Sequence, residues 1–180
     1  MLRKLCCCFI LAKIIYLYRF SIIMKIVFIS FVVSYFLFHF FESYYKRRTL
    51  KVKDLKIGKK KFIQLVLNWC VQNIHNNNIP YTLKIIYKKP TKMLGYYQPW
   101  NREIVIYVDN SLSILEIITV VLHEFVHHCQ MISKKDQKKY YDKLLTQGYF
   151  FNTYEVEARK LSKKYRNQCY DQIIKNVVRD

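Results

Sequence analysis

The sequence predicts an α+β domain behind an N-terminal transmembrane helix, and three observations predict it. Residues 21–41 form an apolar run long enough to cross a bilayer, which takes about 20 residues. Short β-rich segments between positions 81 and 108 are flanked on both sides by stretches with helical periodicity. A third stretch, residues 112–132, combines a helix-start signal, a one-sided apolar face and the pentad His123-Glu124-Phe125-Val126-His127. The chain divides on this reading into an apolar leader with its anchor (1–45), a basic linker (46–61) and a folded domain (62–180).

The leader is almost wholly apolar from residue 5 to 41, broken by Lys13, Arg19 and Lys25. Residues 5–18 are short for a span; they fit an interfacial segment or an extension of the same helix. A cleaved signal peptide would need a small-x-small site, whereas Phe41 is followed by Glu-Ser-Tyr-Tyr-Lys-Arg-Arg. An uncleaved anchor is the expectation. Lys and Arg side chains are denser after the span, where Lys46, Arg47, Arg48, Lys51, Lys53 and Lys56 follow closely, than before it. The positive-inside tendency therefore predicts a single-pass membrane protein whose domain faces the cytoplasm, or the stroma or matrix of an organelle.

Formal charge is +19, from 31 Lys and Arg against 12 acidic residues. Such an excess invites a nucleic-acid or anionic-membrane partner. The lysines are spread through a chain rich in Ile, Asn, Tyr and Phe, with no long basic block on one predicted helix of the C-terminal part. Most of the charge therefore reads as solvated surface, and a nucleic-acid partner rests on charge alone. Cys6, Cys7 and Cys8 are adjacent, and Cys70, Cys129 and Cys169 are far apart, so no Cys-x-x-Cys zinc site or disulfide framework is indicated. Reduced thiols fit best. The adjacent three read as part of an apolar run rather than as acylation sites.

Within the domain, Phe62, Leu65, Val66, Trp69, Cys70 and Ile74 repeat with helical spacing and predict an amphipathic helix ending near His75-Asn76-Asn77-Asn78, before Pro80. Residues 81–87, 93–98 and 103–108 are predicted strands, the last two joined by a hairpin turn at Pro99-Trp100-Asn101-Arg102. The strand just before the next helix is expected to edge a cleft and pair with an extended peptide. After Ser133 the chain is polar to Tyr140. A short helix is expected at 141–145, broken by Gly148. A final helix starts at Asn152, with Glu155 completing a capping box and Tyr154, Ala158, Leu161 and Tyr165 as its apolar stripe.

The helix at 112–132 is the chemical centre. Asp109-Asn110-Ser111 signals its start, and Ser113 with Glu116 reads as a capping box. At about 100° per residue, Leu115, Ile118, Leu122, Phe125 and Ile132 share a core face, while His123 and His127 align on the other side with Glu116, Thr119, Val120 and Gln130. Two imidazoles one turn apart can ligate one Zn²⁺, and Glu124 between them is placed to take a proton from water. Chance gives roughly 0.005 such pentads in a chain of this composition.

A catalytic zinc has three protein ligands and an open position. His128 points about 100° away from His127, and Gln130 and Ser133 stand where a metzincin has its Gly and third His. The third ligand should be a carboxylate from among Asp136, Asp142, Glu155, Glu157 and Asp171. Glu157 lies nearer the apolar stripe of the last helix, where a carboxylate needs a partner, and is the expected ligand. Glu155 is the alternative. Tyr149, Tyr154 and His128 are candidates for oxyanion support.

His123-Glu-Phe-Val-His127, followed by Glu155-Val-Glu157-Ala158-Arg159, resembles the small gluzincin-like zinc metallopeptidases of the ImmA/IrrE type over roughly residues 95–161. The resemblance implies a minimal zincin fold, zinc held by His123, His127 and Glu157, Glu124 as general base, and a peptide or protein substrate.

Overall fold

The computed structural model describes residues 24–42, 44–45, 50–75, 79–88, 93–174 and 177. Cys6, Cys7 and Cys8, the 5–18 segment, the first three residues of the expected span, residues 46–49 and the Asn76–Asn78 run lie outside the described residues. The chain has two units, Met1–Lys46 and Arg47–Asp180.

In the first unit, helix α1 (Met24–Glu42) is long and apolar enough to cross a membrane. Its 19 residues rise about 28 Å at 1.5 Å each, close to the hydrocarbon thickness of a bilayer. Its apolar side chains, Phe28, Phe31 and Phe36 among them, are exposed within the chain. Aromatic residues gather toward its C-terminal end, where Phe40 stacks on Tyr44, as interfacial belts do.

The second unit is α+β. It runs from a 3-10 turn (Val52–Asp54) through α2 (Lys59–Asn73), β1 (Thr82–Ile86), β2 (Gly95–Gln98), β3 (Glu103–Tyr107), α3 (Ile114–Gln130) and α4 (Lys134–Phe151) to α5 (Thr153–Ile173). Residues 50–57, expected as linker, belong to the fold. Val52 and Leu55 are buried, Val52 N donates to Leu112 O at 3.0 Å, and Ile114 N donates to Leu50 O at 3.0 Å. The basic composition of this segment hid two core positions.

The three strands form one mixed sheet in the order β1-β3-β2. β2 and β3 are the expected hairpin, antiparallel with Gln98 opposite Glu103, and Arg102 turns the chain at φ 52°. β1 runs parallel to β3, from Thr82 opposite Glu103 to Ile86 opposite Tyr107. The strand preceding α3 is therefore central, and the expected edge is the outer edge of β2. Ile104, Val105 and Ile106 are fully buried accordingly.

α3 crosses the middle of the unit with Ile114, Ile117, Ile118, Val121, Leu122 and Phe125 buried. α2 closes one side through Phe62, Ile63, Val66 and Leu67. The predicted 141–145 helix is longer. Its N-terminus is capped by Ser133, which accepts from Asp136 N, and its lysine-rich first turns are good helix formers. It buries no residue completely, so apolar periodicity was a poor guide to it. Gly148 breaks the helix at φ 69°, a left-handed conformation that glycine adopts without steric cost. Cys70, Cys129 and Cys169 are free thiols, and burial pushes Cys129 and Cys169 up to about 12, where they remain protonated.

Gly95 sets how closely β2 lies against α3. A Cβ there would stand 2.8 Å from Val120 Cγ1 and 2.9 Å from the Val105 carbonyl oxygen. The second of these is backbone and cannot swing aside. Gly95→Ala should therefore cost about 1–3 kcal/mol of stability, as overpacking does. A thermal or urea melt unchanged from wild type would show that β2 is free to shift.

Candidate metal centre

The site starts from the capping box of α3. Ser113 Oγ accepts from Glu116 N at 3.2 Å, and Glu116 Oε2 accepts from Ser113 N at 2.7 Å. Burial opposes the Glu116 charge, but the Ser113 hydroxyl, donating to Oε2 at 2.7 Å, and the Ser113 N–H outweigh it and hold the carboxyl below its usual value. Two turns further along the fixed helix, His123 and His127 share a face. Their Nε2 atoms are 3.1 Å apart.

The carboxylate they meet is Glu155, from the first turn of α5. Its Oε2 is 3.3 Å from His123 Nε2 and its Oε1 is 3.2 Å from His127 Nε2. One ligand atom from each of the three residues lies within 4.8 Å of the others, so the group could hold a metal ion. Glu157 is not part of it. That side chain is exposed and accepts from Gln130 Nε2 at 2.9 Å. The correction has a local cause. Asn152 caps α5, its side chain accepting from Tyr154 N at 3.0 Å, but its own N–H donates to Gly148 O at 3.0 Å, so the expected capping box does not form and Glu155 turns inward instead.

The donor chemistry fits a cation. Gln130 Nε2 donates to Glu157 Oε2 and to the Tyr154 carbonyl, so Gln130 Oε1 must accept, and His127 Nδ1, 3.0 Å away, must donate to it. In a neutral His127 the Nε2 is then a lone pair, and it faces a carboxylate and a second imidazole nitrogen. Oε2 of Glu155 is itself buried without a hydrogen bond. Zinc bonds of about 2.0–2.2 Å place tetrahedral ligand atoms about 3.3–3.6 Å apart. The two imidazole Nε2 atoms are 3.1 Å apart and each has a different oxygen of Glu155 in reach, Oε1 at 3.2 Å from His127 and Oε2 at 3.3 Å from His123, so the three side chains converge on one point.

Around this group, Tyr140 OH donates to Glu155 Oε1 at 2.9 Å. Burial opposes the Glu155 charge, yet imidazole protons on His123 and His127, when directed at it, and the Tyr140 hydroxyl outweigh burial and hold the carboxyl well below the usual range; a cation held by the imidazole lone pairs acts in the same direction. Tyr140 went unremarked in the sequence because it meets Glu155 only where α4 and α5 fold together. Glu124 is also buried, and there desolvation wins. The neighbouring Glu155 adds to it, His123 and the Tyr97 backbone N–H oppose it, and the carboxyl is pushed up to about 7.

Both histidines, Glu124 and Glu155 line a cleft of about 480 Å³ walled by β2 on one side and by Tyr140, Tyr141 and Leu144 of α4 on another. Tyr149 lines it too, and burial with Glu155 beside it pushes its phenol to about 12. The other two oxyanion candidates lie elsewhere. His128 is buried in the core, its ring nitrogens 3.3 Å from Tyr97 OH and 3.3 Å from Ile79 O, with its ring against Tyr81 and Phe125. Burial lowers its pKa. Tyr154 packs edge-on against Tyr140 and under Lys143, outside the cleft.

No protein-family model, curated protein or solved structure matches this chain.

Glu155→Ala should abolish stoichiometric metal binding in the full chain after dialysis against Zn²⁺ buffer, measured by elemental analysis. Glu157→Ala loses only the brace on Gln130 and should retain the metal with affinity weakened by about tenfold, the low end for outlying partners of a ligand. The opposite pattern would return the third ligand to Glu157.

Proposed function

We propose that the chain is a membrane-anchored, zinc-dependent metallopeptidase. The observation that carries this reading is the meeting of His123 Nε2, His127 Nε2 and the Glu155 carboxylate on the floor of a cleft, with the buried Glu124 carboxyl beside them. A two-nitrogen, one-oxygen set suits zinc, and three protein ligands leave a fourth position open, as catalytic sites do. The resemblance to gluzincin-like metallopeptidases supports the same assignment, with Glu155 in place of Glu157.

His123, His127 and Glu155 would hold the ion, which when bound lowers the pKa of water and polarises a carbonyl. Glu124 accepts the proton of the attacking water and returns it to the leaving amine. Burial and the neighbouring Glu155 raise its affinity for that proton above an ordinary carboxyl's, against the pull of His123 and the Tyr97 N–H. Tyr149 faces the same cleft and donates toward the carbonyl oxygen as charge grows on it. The outer edge of β2 offers unpaired backbone groups along the cleft wall, and an extended peptide pairs with them there. On this reading α1 is the anchor, and the positive-inside tendency of the basic residues after it favours a domain on the cytoplasmic, stromal or matrix side.

Two tests follow. Full-length protein should stay with the membrane through alkaline carbonate extraction and enter solution only with detergent; release by carbonate alone would remove the anchor. Glu124→Gln keeps the side chain's shape, so zinc content and melting should match wild type while cleavage of an unfolded protein falls at least ~10²-fold. A wild type that cleaves nothing across a peptide library would end the peptidase reading.

A further inference from the structure

A second cavity of about 350 Å³ adjoins the cleft. It shares Gly95, His123, Glu124 and Tyr149 with it, and extends along α5 past Arg159, Ser162, Lys163 and Arg166. These four positions, at i, i+3, i+4 and i+7, form one helical face. Three of the four are cationic. Arg159 is partly committed, donating to the Phe150 carbonyl with its Nη1 3.9 Å from Glu155 Oε2. Among the described residues no carboxylate pairs with Lys163 or Arg166. Arg159 Nη1 and Arg166 Nε are buried with no hydrogen-bond acceptor. A guanidinium N–H withdrawn from water without an acceptor is costly, so groups of this kind stand where an anion belongs.

Resting on the peptidase reading, we propose that Arg159, Lys163 and Arg166 form a subsite for a substrate carboxylate beside the metal centre. From Glu155, the three residues lie about 6, 12 and 16 Å along the helix at 1.5 Å per residue. An extended peptide covers about 3.3–3.6 Å per residue. The carboxylate therefore sits about two to five residues from the bond being cut. It is either the peptide's C-terminal carboxylate or an acidic side chain, and planar, forked recognition by arginine suits both. β2 lines the same cavity through Gly95, so a peptide paired to its edge is led toward this basic face.

The test is calorimetric binding of short acetylated peptides to zinc-loaded, full-length Glu124→Gln in detergent, so that binding is read without cleavage. Four peptides share one neutral sequence: C-terminal acid, C-terminal amide, and each of these with an internal Glu. A carboxylate should tighten binding about tenfold over the neutral amide. Gain from the free acid alone identifies the C-terminus, and gain from Glu in the amide identifies a side chain. Lys163→Glu, on the exposed side of the cavity, and Arg166→Gln should each bring the ratio toward one, with zinc content as the check on folding. Lys53→Glu makes the same change of net charge as Lys163→Glu in an exposed position outside the cavity and should leave the ratio intact. Equal binding of all four peptides overturns the subsite, as does a ratio that survives Lys163→Glu or falls equally in Lys53→Glu. If binding follows this pattern but wild type cleaves nothing across a peptide library, the carboxylate subsite stands and the peptidase reading falls.

Discussion

The domain depends on one buried carboxylate. Glu155 is 2 % exposed, and an ion so placed costs several kcal/mol unless its surroundings compensate it. Compensation comes from three elements at once: His123 and His127 on α3, Tyr140 on α4, and the start of α5 itself. Those elements must therefore meet at one point. Asn152 is fully buried at that junction, capping α5 and donating to the Tyr140 carbonyl at 3.3 Å. Ala158, also fully buried, lets α5 approach α3 one turn further on. Gly148 makes the junction possible by reversing the chain between the Tyr that donates and the Glu that accepts.

The second constraint is the closeness of β2 to α3. Because β3 occupies the centre of the sheet, β2 has no strand on its other side among the described residues, and the contact at Gly95 holds that edge beside His123 and Glu124. A sheet ordered by chain sequence would have put β3 at the edge, where the flanks of Ile104, Val105 and Ile106, all fully buried here, lose the cover of one neighbouring strand. Hydrophobic burial selects the observed order. The open edge that results is polar backbone next to a cleft rather than an apolar strand exposed to aggregation.

Much of this was legible. The capping box of α3, the aligned histidines, the hairpin at Pro99–Arg102 and the break at Gly148 are local patterns, and local patterns survive without a partner. The third member of the His–His–carboxylate group was not. An apolar stripe of Tyr154, Ala158, Leu161 and Tyr165 placed Glu157 nearer the core, but the buried face of α5 is Glu155, Ala158, Ser162, Cys169, Tyr170 and Ile173. Glu155, Ser162 and Cys169 repeat every seven residues, which is the spacing of a helix packed along another helix. Two of the three are polar, so the face that carries the chemistry hid itself from a search for hydrophobic periodicity. The basic face of α5 escaped for a related reason: three cations spread over two turns do not look like a block until a cavity joins them.

Glu124 and Glu155 come close together in one cleft and differ in what their neighbours ask of them. Both pay desolvation. Glu155 has imidazole nitrogens and a phenol directed at its oxygens, and these favour its charged form more than burial opposes it. Glu124 has one backbone amide and one imidazole in its favour, and the charge on Glu155 against it, so burial prevails. Environments that push two carboxyls in opposite directions divide the labour between them. The carboxylate that holds its charge is suited to coordinate a cation, and the one that takes up a proton more readily is suited to carry it between water and a leaving group. That division follows from which helix face each occupies, since Glu124 is set by its place between the two histidines and Glu155 by the turn that brings α5 against them.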